Sequence, residues 1–182
     1  MSISLKSKIT QKILNYAFIH EGEKFYISKI AKQINEEKSN VYKKLLELKK
    51  EGVLDDENIG NQRHFFLNKK YRFLEEYKKV IQKSFGIEAI LKEKMSKIKG
   101  IEQVYLFGSY AKDQLTASSD IDILIVGQYD FMKVQKILNE IQSLFNIEVN
   151  SVEYSSKEYD QKIKEKNYFI MDILKNKVIK II

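Results

Sequence analysis

Apolar residues first fall into a helical repeat, at Ile9, Ile13, Leu14, Ala17 and Phe18, which predicts an amphipathic helix over residues 7–19 ended by Glu21, Gly22 and Glu23. Phe25, Tyr26 and Ile27 then read as a short strand. Ser28 is the expected N-cap of a second helix that turns Ile30, Ala31 and Ile34 inward, and after the polar turn 35–38, Ser39 is the expected cap of a third. In that third helix Val41, Leu45 and Leu48 stand at i, i+4 and i+7, and Gly52 stops it. Residues 53–55 and 63–67, with turn signals at Asn58 and at Gly60-Asn61 between them, predict a hairpin.

Beyond the hairpin the repeat is helical again, with one stripe at Phe73, Leu74, Tyr77, Val80 and Ile81, another at Ile87, Ile90, Leu91, Met95 and Ile98, and Gly86 between them. Two β-prone runs follow, 104–107 and 121–126, flanking a polar segment. Phe131, Val134, Leu138, Ile141 and Phe145 predict a helix that covers the sheet, 147–154 the next strand, Ser155 to Glu158 a capping box that opens another helix, and 178–182 a terminal strand. The expected fold class is α+β in two domains: 1–68, a connecting helix at 69–86, and an α/β domain with a small mixed sheet at 87–182. The connecting helix either pairs two copies of the chain or packs under the hairpin.

Composition narrows the chemistry. There is no cysteine, and His20 and His64 are the two imidazoles, which argues against a zinc site. No apolar run approaches the ~20 residues of a membrane span, and residues 1–10 lack the apolar stretch of a signal peptide, so a cytoplasmic protein is expected. The net charge of +7 is unevenly spread: residues 1–84 carry 18 Lys and Arg against 11 Asp and Glu, whereas 85–182 carry 14 of each. A basic first module suited to a polyanion and a neutral second one follow.

Helix, short strand, helix, helix and hairpin is the order in which residues 7–68 resemble the winged helix-turn-helix family, with Ile30-Ala31, then Val41-Tyr42-x-x-Leu45-x-x-Leu48, then Gly52-Val53-Leu54 at the family's positions. The resemblance implies a recognition helix that begins near Ser39. Asn40, Tyr42 and Lys43 would probe the major groove of duplex DNA, while Lys44 and Arg63 would meet phosphates. The alternative reading of this basic module is a surface for protein contacts.

The densest chemistry lies between the β-prone runs. Side chains alternate along a strand, so Asp120 and Asp122 point the same way while Ile121 and Ile123 enter the core. Like charges so close call for a cation between them, and a hard divalent metal with oxygen ligands is the usual solution. Gly108 permits close approach of the backbone to a ligand, and Ser109 with the amides after it can donate to phosphate oxygens. Gly-Ser, a ten-residue spacer (110–119) and Asp-x-Asp resemble the signature of the minimal nucleotidyltransferases of the DNA-polymerase-β superfamily, over residues 87–182.

That resemblance implies in-line attack of an acceptor oxygen on the α-phosphate of a nucleoside triphosphate. Asp120 and Asp122 would hold Mg²⁺, and Gly108, Ser109 and Lys112 would steady the outer phosphates. Related minimal enzymes are associated with modifying a protein partner, often a toxin encoded beside them. This chain departs from the pattern twice: Asn150 falls where the third catalytic carboxylate is expected, with Glu148 the better substitute and Glu153 the other, and Asp113 falls where glycine is frequent. The expected function is a DNA-binding, homodimeric nucleotidyltransferase. Its competitors are a transcriptional regulator whose weak nucleotidyltransferase domain only binds nucleotide or a partner, and a structural adaptor.

Overall fold

In the computed structural model, which describes residues 5–115 and 119–182, Ser7 accepts a hydrogen bond from the Thr10 amide and so opens helix α1, Lys8–Ile19. The first four residues of the N-terminal stretch, and Thr116, Ala117 and Ser118 of the spacer, lie outside the described residues. The chain divides into two units, Met1–Gly86 and Ile87–Ile182.

In the first unit α1 is followed by β1 (Phe25–Tyr26), α2 (Ile27–Gln33), α3 (Lys38–Lys50), β2 (Leu54–Ile59), β3 (Gln62–Leu67) and α4 (Leu74–Phe85). The three strands form an antiparallel sheet in the order β1-β3-β2, with Phe25 opposite Phe65 and Leu54 opposite Leu67. Phe18, Phe25, Ile30, Val41, Leu45 and Phe65 fill the core. Truncating any one of the larger of these to alanine costs about 2–5 kcal/mol.

Two expected caps are corrected. Ser28 and Ser39 each sit second in their helix; the N-caps are Tyr26 and Glu37, and neither makes a side-chain capping bond. Pairing with β3 holds Tyr26 extended up to the first turn of α2. At the other end of α2, Asn35 takes φ +51° and the Glu36 amide returns to the Ala31 carbonyl, so the chain is already extended at Glu37 and α3 starts there. The end of α3 matches expectation: Gly52 takes φ +83°, its amide reaches the Lys49 carbonyl, and the Val53 amide reaches Leu48. Asn58 is not a turn residue, because it pairs with Arg63 inside the ladder; Gly60 and Asn61 alone make the turn.

Helix α4 starts five residues later than the sequence suggests, and its predicted stripe is split. Leu74 and Ile81 are buried, whereas Phe73 and Val80 are 45% and 46% exposed. The helix packs on α1, where the Asn15 amide donates to the Phe85 carbonyl (3.0 Å) and buried Lys78 reaches Glu21 (2.9 Å).

The second unit contains α5 (Ile87–Met95), β4 (Ile101–Phe107), α6 (Gly108–Ala111), β5 (Ile121–Gly127), α7 (Phe131–Phe145), β6 (Val149–Tyr154), α8 (Ser156–Lys164), α9 (Tyr168–Lys175) and β7 (Ile179–Lys180). Its sheet is mixed, in the order β6-β5-β4-β7, with β5 and β6 parallel and the other pairs antiparallel. One face carries Ile121, Ile123 and Ile125 and meets α7, whose Gln135 donates to Glu153 of β6. On the other face Leu124 and Val126 pack under Tyr159 of α8 and Ile170 and Ile173 of α9. The capping box that opens α8 is complete, with both Ser155–Glu158 bonds made. Among the described residues no helix is long and apolar enough to cross a membrane.

Candidate active site

Register builds the site. Phe107 of β4 is the cross-strand partner of Asp122, and Asp122 is the partner of Asn150 in β6. Directly opposed residues share a face, so a phenyl ring, a carboxylate and an amide stand in one row across three strands. Asp120 sits one step ahead of β5, half-buried, and accepts a hydrogen bond from the Asn150 side-chain amide.

Gly108 follows Phe107 at φ +68°, and a Cβ built there would collide with the Asp122 carboxylate oxygen Oδ2. Glycine thus serves both the left-handed backbone and the close approach to the carboxylate. Ser109 donates through Oγ to the Asp120 backbone carbonyl (3.5 Å), which ties the turn to the acidic segment. Beneath the turn Tyr110 is buried; burial, and then the nearby Glu88 carboxylate, push its hydroxyl pKa up. Lys112 ends the turn, exposed. Asp113 takes φ +59°, so an aspartate does adopt the left-handed conformation for which the family often uses glycine.

Burial, and then the Asp120 charge, push the Asp122 carboxyl above its ordinary value. Two hard oxygen donors of like charge, one of them desolvated, suit a small divalent cation. Asn150 donates to Asp120 through its side-chain nitrogen, and its amide oxygen is the neutral donor it could offer a cation.

The two carboxylates weighed as substitutes lie elsewhere. Glu148 precedes β6, is exposed, and lines a shallow groove with Gln142, Asn146, Ile147 and Val149, while its backbone carbonyl accepts from the Ile121 amide (2.8 Å). Glu153 belongs to the α7 face, where it accepts from Tyr129 (2.8 Å), Gln135 (3.0 Å) and Ser151 (3.0 Å). Among the described residues no third Asp, Glu, His or Cys joins Asp120 and Asp122.

In the first unit the face of α3 carries Ser39, Asn40, Tyr42 and Lys43, all exposed. The two expected phosphate contacts are engaged within the protein. Lys44 is paired with Glu47 (2.6 Å), and Arg63 is paired with Asp56, which Lys49 also meets. The guanidinium also donates to the Tyr42 hydroxyl (3.3 Å). Nothing local in the sequence marks Asp56, because its link to Arg63 crosses the hairpin and its link to Lys49 joins helix to strand.

Residues 87–180 match the family model described as a nucleotidyltransferase domain. A Methanocaldococcus jannaschii protein named as a protein adenylyltransferase is 39% identical over 69 residues, which make up 37% of this chain and 69% of that protein. Among solved structures, a toxin-antitoxin with AMP-PNP shares 20% identity at a TM-score of 0.34, over 53% of this chain and 69% of that one. A tri-AMPylated Shewanella oneidensis HEPN toxin in complex with MNT antitoxin shares 16% at 0.25, over 50% of this chain and 100% of that one. Since the family match takes in more than half of the chain and the Gly108-Ser109 turn faces Asp120 and Asp122 within it, this protein belongs to the nucleotidyltransferase-domain family.

Proposed function

We propose that residues 87–182 transfer a nucleotide from a nucleoside triphosphate to a hydroxyl of a protein acceptor, with Mg²⁺ held by Asp120 and Asp122. The observation that carries this reading is Gly108 pressed against Asp122 in the row that also holds Asn150. A protein acceptor is favoured by the 39% identical relative that is named as a protein adenylyltransferase. In the step itself the acceptor oxygen forms a bond to the α-phosphorus, the α–β bridging P–O bond breaks, and pyrophosphate leaves with the electron pair. The acceptor proton goes to water.

Bound there, a divalent ion would stabilise the charge on the attacking and leaving oxygens. The chain's own residues do the rest. Asp120 and Asp122 would hold the cation, the Gly108-Ser109 turn would offer amides to the outer phosphates, and Lys112 would add a positive charge beside them. Labelled ATP incubated with the protein, Mg²⁺ and a lysate of its source should mark an acceptor, and should not do so with Asp120→Asn.

A second reading is a regulator that only senses nucleotide, and Asn150 favours it. An amide that donates to Asp120 supplies no base, and a missing base typically costs about 10²- to 10⁴-fold in rate. Under that reading nucleotide binds but no acceptor is labelled.

For the first unit the proposal is a winged helix-turn-helix that binds duplex DNA through Ser39, Asn40, Tyr42 and Lys43. Its support is the helix-strand-helix-helix-hairpin order, the β1-β3-β2 sheet and the local +7 charge. The homodimer is likewise a proposal, resting on Val80 of α4 and Phe73 at its N-cap as exposed apolar residues. Light scattering that returns the monomer mass at micromolar concentration, with and without DNA, rules it out.

A further inference from the structure

The carboxylates and the Gly108-Ser109 turn offer a nucleotide charge and hydrogen bonds, but nothing flat. The flat surface lies at the end of the same row. Phe107, opposite Asp122, is half-buried, and Phe169 of α9 sets its ring edge-on to it, with centroids 6.2 Å apart and planes at 83°. Phe169 is 42% exposed and Tyr168, beside it at the start of α9, is 85% exposed. One row further along the sheet, Leu124 is closed over by Ile170 and Ile173. The apolar cover of this face therefore stops at the row that holds the carboxylate, and two aromatic rings form its lip.

We propose that Phe107 and Phe169, with Tyr168 at the rim, form the base subsite: the nucleobase of the triphosphate stacks on this lip while its phosphates meet Gly108, Ser109 and the Asp120–Asp122 pair. The proposal rests on the nucleotidyltransferase reading of those carboxylates. The occupant follows from adjacency, because a ring held next to the phosphate-binding turn meets whatever is attached to the phosphates. The edge-to-face geometry fixes the orientation of Phe107 in advance, so little ordering is required on binding. Every base has a π-face, and phenyl rings read no base edge, so the subsite accepts all four bases, purines ahead of pyrimidines by their larger face.

The test titrates the full chain with ATP, CTP and inorganic tripolyphosphate in the presence of Mg²⁺, for the wild type, Phe169→Leu and Tyr168→Ala. Leucine keeps apolar bulk against Phe107 but has no π-face, and thermal melting confirms that the variant is folded. The expected result is ATP binding weakened about tenfold in Phe169→Leu, less in Tyr168→Ala, with tripolyphosphate affinity unchanged. In the wild type, ring currents should shift the adenine protons upfield in NMR spectra, and Phe169→Leu should reduce that shift to what the remaining Phe107 ring produces.

Equal effects on ATP and tripolyphosphate overturn the subsite. So does a wild type that binds the two equally, and in that case the reading of the carboxylates stands. A wild type that binds neither ligand removes both. If Tyr168→Ala abolishes association with an acceptor protein while ATP binding and the NMR shifts are untouched in both variants, the lip is a protein-docking surface and the proposal falls.

Discussion

Asp122 is held in tension by its surroundings. Burial and the Asp120 charge raise its folded pKa above the unfolded value, so the native state holds this proton more tightly. Its contribution to stability is therefore fully present below about pH 3.9 and is lost as pH rises through the folded value. Asp122→Asn removes the charge at neutral pH. Without divalent cation the variant should melt above the wild type at pH 7, the gap should close toward pH 4, and Mg²⁺-dependent nucleotide binding should disappear. The neighbouring position works in the opposite sense. Asn150→Asp places a third carboxylate beside Asp120, lowers the melting temperature of the cation-free protein, and should raise labelled transfer by about 10²- to 10⁴-fold. Glu148→Gln should leave transfer unchanged, since Glu148 lines a separate groove. Loss of transfer in that variant would return the third-carboxylate role to Glu148. That Gly108, Ser109, Asp120 and Asp122 come together as one candidate site could be expected from the sequence, because two short motifs and a fixed spacing carry them. Phe107 could not, because its place depends on which residue lies opposite it in the next strand.

At the scale of elements the same division recurs. The Ser155–Glu158 box is legible because both of its bonds are local, whereas Ser28 and Ser39 are not the caps their sequence suggests because sheet pairing and the left-handed Asn35 decide where α2 and α3 begin. Asp56 shows what long-range register adds. The Arg63 guanidinium first, aided by Lys49, holds its carboxyl below the usual range. A depressed folded pKa stabilises fully above the unfolded value and loses its effect as pH falls through the folded one. Asp56→Asn should cost about 1–2 kcal/mol at pH 7 in urea unfolding, less than for a fully buried pair because both cations are partly exposed. The cost should shrink below about pH 4. The same variant frees Arg63, which should strengthen non-specific DNA binding if α3 lies on DNA. Gly52→Ala meets only Tyr71 at 3.7 Å, an ordinary contact, so its expected loss of about 1 kcal/mol would be backbone strain alone.

For the whole molecule, the sequence showed that charge and chemistry are segregated: the +7 lies within residues 1–84 and the paired aspartates lie in the neutral remainder. It also indicated a small mixed sheet in the second unit. It did not reveal the strand order β6-β5-β4-β7, because nothing local says that β6 lies parallel to β5 or that β7 pairs with β4 to close the opposite edge. If the basic unit neutralises DNA phosphates, the affinity of the full chain should fall with salt at a log-log slope of about −0.9 per phosphate contacted. Lys43→Ala should relax sequence preference, whereas Lys38→Ala, also exposed on α3, should reduce the slope by about one for all sequences alike. A retardation that is insensitive to salt, or absent with every duplex tried, sets the DNA reading aside.

The amide at position 150 has a genetic consequence. Asparagine and aspartate codons differ by a transition at the first base, and the two side chains have nearly the same shape, so the β6 register survives the exchange while the hydrogen bond donated to Asp120 is lost. If residue 150 decides transfer as proposed, a lineage could pass between a nucleotide-binding and a nucleotide-transferring form in one mutational step, without refolding. Selection for acceptor modification from a randomly mutagenised copy should recover that transition first, ahead of changes at Glu148 or Glu153.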